Sequence, residues 1–187
     1  MNANPEPLTY YDRELQNAWN AEPFDPDRLR RAHEKSKQLY RAYNKQLRKL
    51  RPRLAKRTYE RFTDEKDPLF DSNLLEFTFG DALGTAKKAI VRPSQAAVRA
   101  TFLSFDEKTL HELRYRKLES LQVDLPTEPW FHWGGHKQID SLLSHELTAN
   151  GRSLMQHKFL FASGAVIAVT FAEMTWKTVG LAKKSLS

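Results

Sequence analysis

The stretch 142–176, LLSHELTANGRSLMQHKFLFASGAVIAVTFAEMTW, constrains the fold more than any other part of the chain. Two runs of strand type flank Asn150-Gly151, and Asn-Gly accepts the positive φ angles of a tight type I′ hairpin. A second break, Ser163-Gly164, falls inside the most apolar run of the protein. The pattern predicts three antiparallel strands, over about 142–149, 153–162 and 165–176. The last two are apolar at nearly every position, as strands covered on both faces are, and belong at the centre of a sheet. Phe161, Ile167, Val169 and Phe171 are its expected core.

The 187 residues suit a single domain, with a helical part over 1–62 and a β part over 73–178. The absence of cysteine excludes disulfides, thiolate zinc sites and a cysteine nucleophile, and fits a reducing compartment. No basic segment followed by an apolar run opens the chain, so no signal peptide is expected. The apolar run 159–171 is shorter than the roughly 20 residues a membrane helix needs. The expectation is a soluble, cytoplasmic protein without membrane association. Charge is unevenly divided. Residues 28–61 hold fourteen Lys/Arg against Glu34 and Glu60, a local +12 that leaves −5 for the rest of a +7 chain.

Residues 8–19 are expected to form a short helix docked through Leu8, Tyr11, Leu15 and Trp19. A second helix start is sharper: Asp25 as cap, Pro26 at the first helical position and Asp27 at the positive end of the dipole. Phe24 and Leu29 are spaced as a hydrophobic staple. Pro52 disfavours helical geometry at Arg51, so this helix should run about 26–50. Leu29, Ala32, Ser36, Leu39, Tyr40, Tyr43, Leu47 and Leu50 form its apolar stripe. A shorter helix over about 53–62 and a polar connector over 63–72 precede a first strand at about 74–79. Residues 82–91 read equally as helix or strand. Two strands over about 97–105 and 109–123 form a hairpin across residues 106–108. In the second, His111, Leu113 and Tyr115 alternate with Glu112, Arg114 and Arg116, one buried face against one wet face. The fold expected is α+β, with the long helix packed on an antiparallel meander of about five to seven strands.

LRPRLAKRTYERF at 50–62, EFTFGDA at 76–82, SHELTANG and KFLFASGAVIAVTF carry a likeness in layout. The chain resembles small uncharacterised bacterial proteins and, more loosely, immunity proteins of toxin systems. Such proteins carry a Leu-His-Asp near the first strand, where this chain reads Phe79-Gly80-Asp81. No functional residue carries over.

Three groups of residues are candidates for function. Trp130, His132, Trp133 and His136, with Phe131 and two glycines, form a loop able to line an aromatic pocket or to plug the open end of the sheet. Zinc would need His132 and His136 to converge with His145 or His157. Neither thiolates nor a zinc-binding helix motif supports that, and no metal or cofactor is expected. His145 and His157 belong to paired strands and read as a partly buried pair. Glu112, Glu146 and Glu173 fall on strands; the first two read as wet-face charges, while Glu173 interrupts an apolar run. No nucleophile elbow or phosphate-cradling loop is present, and the chain reads as non-enzymatic. The clearest charged feature is the outer face of the long helix: Arg30, Arg31, Lys37, Arg41, Lys45, Arg48 and Lys49. It suits an acidic protein partner or a nucleic acid bound without regard to sequence. The reading favoured is a non-catalytic protein-binding module of inhibitor, immunity or adaptor type. Nucleic-acid binding is second and an enzyme using the aromatic loop third.

Overall fold

A computed structural model describes residues 8–181 except 12, 20, 22, 65, 82–95 and 126–140. The ambiguous segment 82–91 and the aromatic loop 130–136 therefore lie outside the described residues. Six strands form one antiparallel sheet: β1 Asn73–Asp81, β2 Ala96–Leu103, β3 Thr109–Asp124, β4 Leu142–Asn150, β5 Leu154–Phe161 and β6 Val166–Gly180. Their order is β1-β2-β3-β6-β5-β4, two three-stranded meanders joined through β3 and β6. On β3 the expected alternation holds, with His111, Leu113 and Tyr115 buried and Arg116 exposed. On β6, Ile167 through Phe171 are buried on both faces, and Phe161 belongs to the same core.

The sheet coils until its two edges meet. Asp71 N donates to Leu142 O at 2.9 Å, Leu142 N donates to Ser72 O at 2.9 Å, and Asn73 bridges Ser141. In a flat sheet, five steps of about 4.8 Å would hold those edges ~24 Å apart. The result is a partly closed barrel.

The helices are α1 Arg13–Trp19, α2 Pro26–Leu50 and α3 Lys56–Phe62, with a 3-10 turn at Arg51–Arg53. The Asp25 carboxylate caps α2, accepting from the Asp27 and Arg28 amides at 2.9 and 3.0 Å. Phe24 stays 57% exposed, so the expected staple against Leu29 contributes little. Ala32, Leu47 and Leu50 are buried along the apolar stripe, but Tyr40 is 50% exposed. Arg51 keeps helical backbone angles, contrary to expectation, and Pro52 falls in the opening of the 3-10 turn, where its missing N–H costs nothing. The first helix begins at Arg13 rather than residue 8. The amides of Thr9 and Tyr10 are instead bound by Glu146, which holds that segment out of a helix.

Leu47, Leu50, Leu54 and Phe62 share one apolar cluster with Phe102, Tyr115, Phe159 and Phe161. The end of α2 and the inner side of α3, with Thr58 and Phe62, thus close over the barrel interior. The β4–β5 hairpin forms around Gly151, whose φ is +68°, but Asn150 is not left-handed. Asn150 pairs with Leu154, so the connection has three residues rather than the two of a type I′ turn.

Val169 is wholly buried where β6 is covered on both faces. Val169→Asp places an unpaired charge there and is expected to cost more than about 4 kcal/mol, abolishing the cooperative thermal transition seen by circular dichroism. A variant melting near the parent would contradict this placement of the core.

Candidate functional site

A cleft of about 410 Å³ opens between the helical segment and β4, lined in part by Tyr10, Tyr43, Phe70, Asp67 and His145. Its position follows from how β4 is protected. β4 is an edge strand, and bare edges expose unpaired N–H and C=O groups. The Leu147 amide donates to the Tyr43 hydroxyl at 3.0 Å, so α2 covers that edge. The Glu146 carboxylate accepts from Thr9 N at 2.9 Å and Tyr10 N at 3.0 Å, which pins the N-terminal segment beside it. Glu146 is buried, which corrects the reading of it as a wet-face charge. Three amide contacts offset the desolvation that burial imposes on a carboxylate.

From the cleft wall a chain of hydrogen bonds runs into the barrel. Asp67 Oδ1 meets His145 Nε2 at 3.0 Å, His145 Nδ1 meets His157 Nε2 at 2.9 Å, and His157 Nδ1 meets the Tyr115 hydroxyl at 2.7 Å. One tautomer set satisfies every member. Tyr115 donates to His157, His157 donates to His145, and His145 donates to the Asp67 carboxylate. Both nitrogens of each imidazole are then engaged. Neither histidine offers a free nitrogen to the cleft, so the arrangement does not build a nucleophile–base pair of the kind hydrolases use. The group presented to the cleft is Asp67, whose side chain is 39% exposed. The Asp67 backbone is left-handed, φ +32°, within a turn where Leu69 N also donates to Oδ1 at 3.1 Å.

Electrostatics follow from this placement. Burial alone would raise the Asp67 carboxyl, but the field and hydrogen bond of the His145 imidazole, with the amides of Leu69 and Phe70, bring it below the usual carboxylate value. Desolvation, then His145, drives His157 well below an ordinary imidazole. Burial raises the Tyr115 phenol well above its ordinary value. A second buried imidazole, His111, accepts from Trp176 Nε1 at 3.3 Å, and desolvation followed by the charge of Arg61 lowers it to about 4.

Arg30, Arg31, Lys37, Arg41, Lys45, Arg48 and Lys49 all lie exposed on the outer side of α2. Arg30 pairs with Asp27 at 3.2 Å; among the described residues the other six form no ion pair. Trp130, His132, Trp133 and His136 lie outside the described residues. His145 and His157 do sit on paired strands, as the sequence suggested, and share one face. Glu112 pairs with Arg114 at 2.8 Å, and Glu173 is an exposed partner of Lys117. Asp67 and Tyr115 are not legible as site residues in the sequence. The only signal is a pair of histidines in facing strands, since buried imidazoles require partners. No family model, curated protein or solved structure matches the chain.

Tyr115→Phe leaves His157 Nδ1 buried without a donor and should cost about 1–3 kcal/mol by urea denaturation, with the fold retained. A second expectation concerns pH. Below 6.5 the unfolded chain protonates His111 and His157 while the folded chain does not, so stability falls with pH, for His111 until about 4. Asp67 adds a loss only below 3.8, where its unfolded form takes up protons. The thermal midpoint should therefore drop between these limits, and His157→Gln should lessen the drop. An equal drop in that variant would show that His157 does not carry it.

Proposed function

We propose that the chain is a non-catalytic binding module that takes an acidic protein partner on the outer face of α2, as an inhibitor, immunity or adaptor protein would. The observation that carries this reading is the run of exposed cations from Arg30 to Lys49, six of them without an ion-pair partner among the described residues. At ~1.5 Å per residue they span a ridge of about 28 Å. Most solvated helix faces alternate charge along their length; this one has Glu34 as its lone carboxylate between Arg28 and Leu50.

A protein is favoured over a nucleic acid by what surrounds the ridge. Phe24, more than half exposed just ahead of α2, offers an apolar anchor beside the charges, and protein interfaces combine apolar anchors with a charged rim.

The triple variant Arg41→Glu, Lys45→Glu, Arg48→Glu should fold normally, since all three side chains are exposed. It should also lose a stoichiometric acidic partner recovered with the parent protein from its native host. Fluorescence anisotropy with labelled duplex and single-stranded oligonucleotides separates the second reading. Contact with about four phosphates predicts a slope of log affinity against log salt near −3.6, at about −0.9 per phosphate. Oligonucleotide binding at low salt with that slope, lost in the triple variant, would put nucleic acid ahead of protein.

A further inference from the structure

The cleft between the helical segment and β4 differs in chemistry from the outer face of α2, and its choice of ligand does not depend on that face. Its volume of about 410 Å³ falls in the range of small-molecule sites, roughly 300–1,000 Å³. Tyr10, Tyr40, Tyr43 and Phe70 supply aromatic surface to it, with the Tyr10 and Tyr43 ring centroids 5.5 Å apart and tilted by 39°. Aromatic faces carry partial negative charge and attract cations within about 6 Å of the ring. The charged groups lining the cleft have the same bias: Asp64, Asp67 and Glu146 against Arg61. Arg61 is turned toward the sheet, where Nη2 donates to Thr178 Oγ1 at 2.8 Å. Glu146 is already occupied by the Thr9 and Tyr10 amides. Asp67 remains. His145 and the Leu69 amide bind Oδ1, the Phe70 amide also acts on the carboxylate, and the side chain is still 39% exposed where it lines the cleft.

We propose that this cleft binds a small organic cation, an amine carried on an apolar body, with the charge at Asp67 and the apolar part among the tyrosines. The His145–His157–Tyr115 chain behind Asp67 holds the carboxylate in place. An anion is disfavoured because, among the described lining residues, Asp64, Asp67 and Glu146 outnumber Arg61, whose Nη2 is engaged by Thr178 of β6. The outer face of α2 has the opposite sign, so the two surfaces select different ligands.

The test is titration of the full chain with phenethylamine, its trimethylammonium analogue and phenylacetate, followed by isothermal calorimetry and by NMR shifts of tyrosine ring protons. The expected result is saturable binding of both cations and none of phenylacetate. Asp67→Asn should weaken phenethylamine at least tenfold. Asp67 also positions His145, so Tyr40→Ala and Asp64→Asn provide the same test should Asp67→Asn fail to fold. Tyr40 is half exposed, and its loss should weaken binding severalfold with an unchanged far-ultraviolet spectrum. No saturable binding of either cation up to about 10 mM overturns the proposal, that being weaker than any ordinary specific site. Equal binding of phenylacetate, or parent-like affinity in Asp67→Asn, overturns it equally. None of these outcomes bears on capture of an acidic protein by α2, which the triple charge reversal reads separately.

Discussion

Everything in this fold depends on the pairing of β3 with β6. These strands come from different meanders, and their ladder runs from Thr109 opposite Gly180 to Asp124 opposite Val166. A three-stranded meander has one apolar face and little to bury it against; joining two of them edge to edge doubles the sheet and lets it coil over itself. The coil needs bends, and these are visible as register shifts. One lies in the β3–β6 ladder between Leu118 and Ser120, and two more lie at Leu74/Glu76 and Leu142/Ser144. The latter pair flanks the Asn73–Ser141 bridge where the two edges meet. Bulges raise local twist, and here they sit where the sheet must turn to close.

Closure is incomplete, and that incompleteness creates the cleft. Among the described residues the β4 edge meets the β1 edge only near the start of the strands, through Ser141 and Leu142. Further along, Glu146 and Leu147 would present a polar edge to water or to another chain. The N-terminal segment and α2 cover it instead, through the Glu146–Thr9/Tyr10 and Leu147–Tyr43 hydrogen bonds. A helix cannot pair with a strand as another strand would. It touches the edge at side chains and leaves space between, and that space is the cleft. Tyr43 shows the double duty: its hydroxyl serves the strand edge while its ring lines the cavity.

What the sequence shows clearly is whatever depends on local period. The β6 core, the alternation on β3, the Asp25-Pro26 start of α2 and the cationic face of that helix are all readable because each is set by neighbours within one or two turns or strands. Glu146 misleads for the opposite reason. On a strand of mixed pattern a carboxylate reads as exposed, and its partners Thr9 and Tyr10 are more than 130 residues away. Asp67 is hidden the same way, 78 residues from His145 in a segment that reads only as a polar connector. Neither position carries a local signature, because the interaction that defines it is created by the fold.

The hairpin shows how one residue of turn length reaches the site chemistry. A two-residue turn on Asn150-Gly151 would pair Ala149 with Arg152 and set His145 opposite Gln156. Side chains alternate along a strand, so His157 would then lie on the other face from His145. The three-residue connection pairs Asn150 with Leu154 instead, which sets Leu147 opposite His157 and His145 opposite Phe159. Both imidazoles now share the inner face as diagonal neighbours, close enough for the 2.9 Å contact. Gly151 at φ +68° makes this loop possible without a side chain in the left-handed region. Tyr115, fixed on the inner face by the alternation of β3, then reaches the far nitrogen of His157, and Asp67 reaches the near nitrogen of His145. The cleft carboxylate is thus held by a register that the three-residue turn allows and a two-residue turn would not.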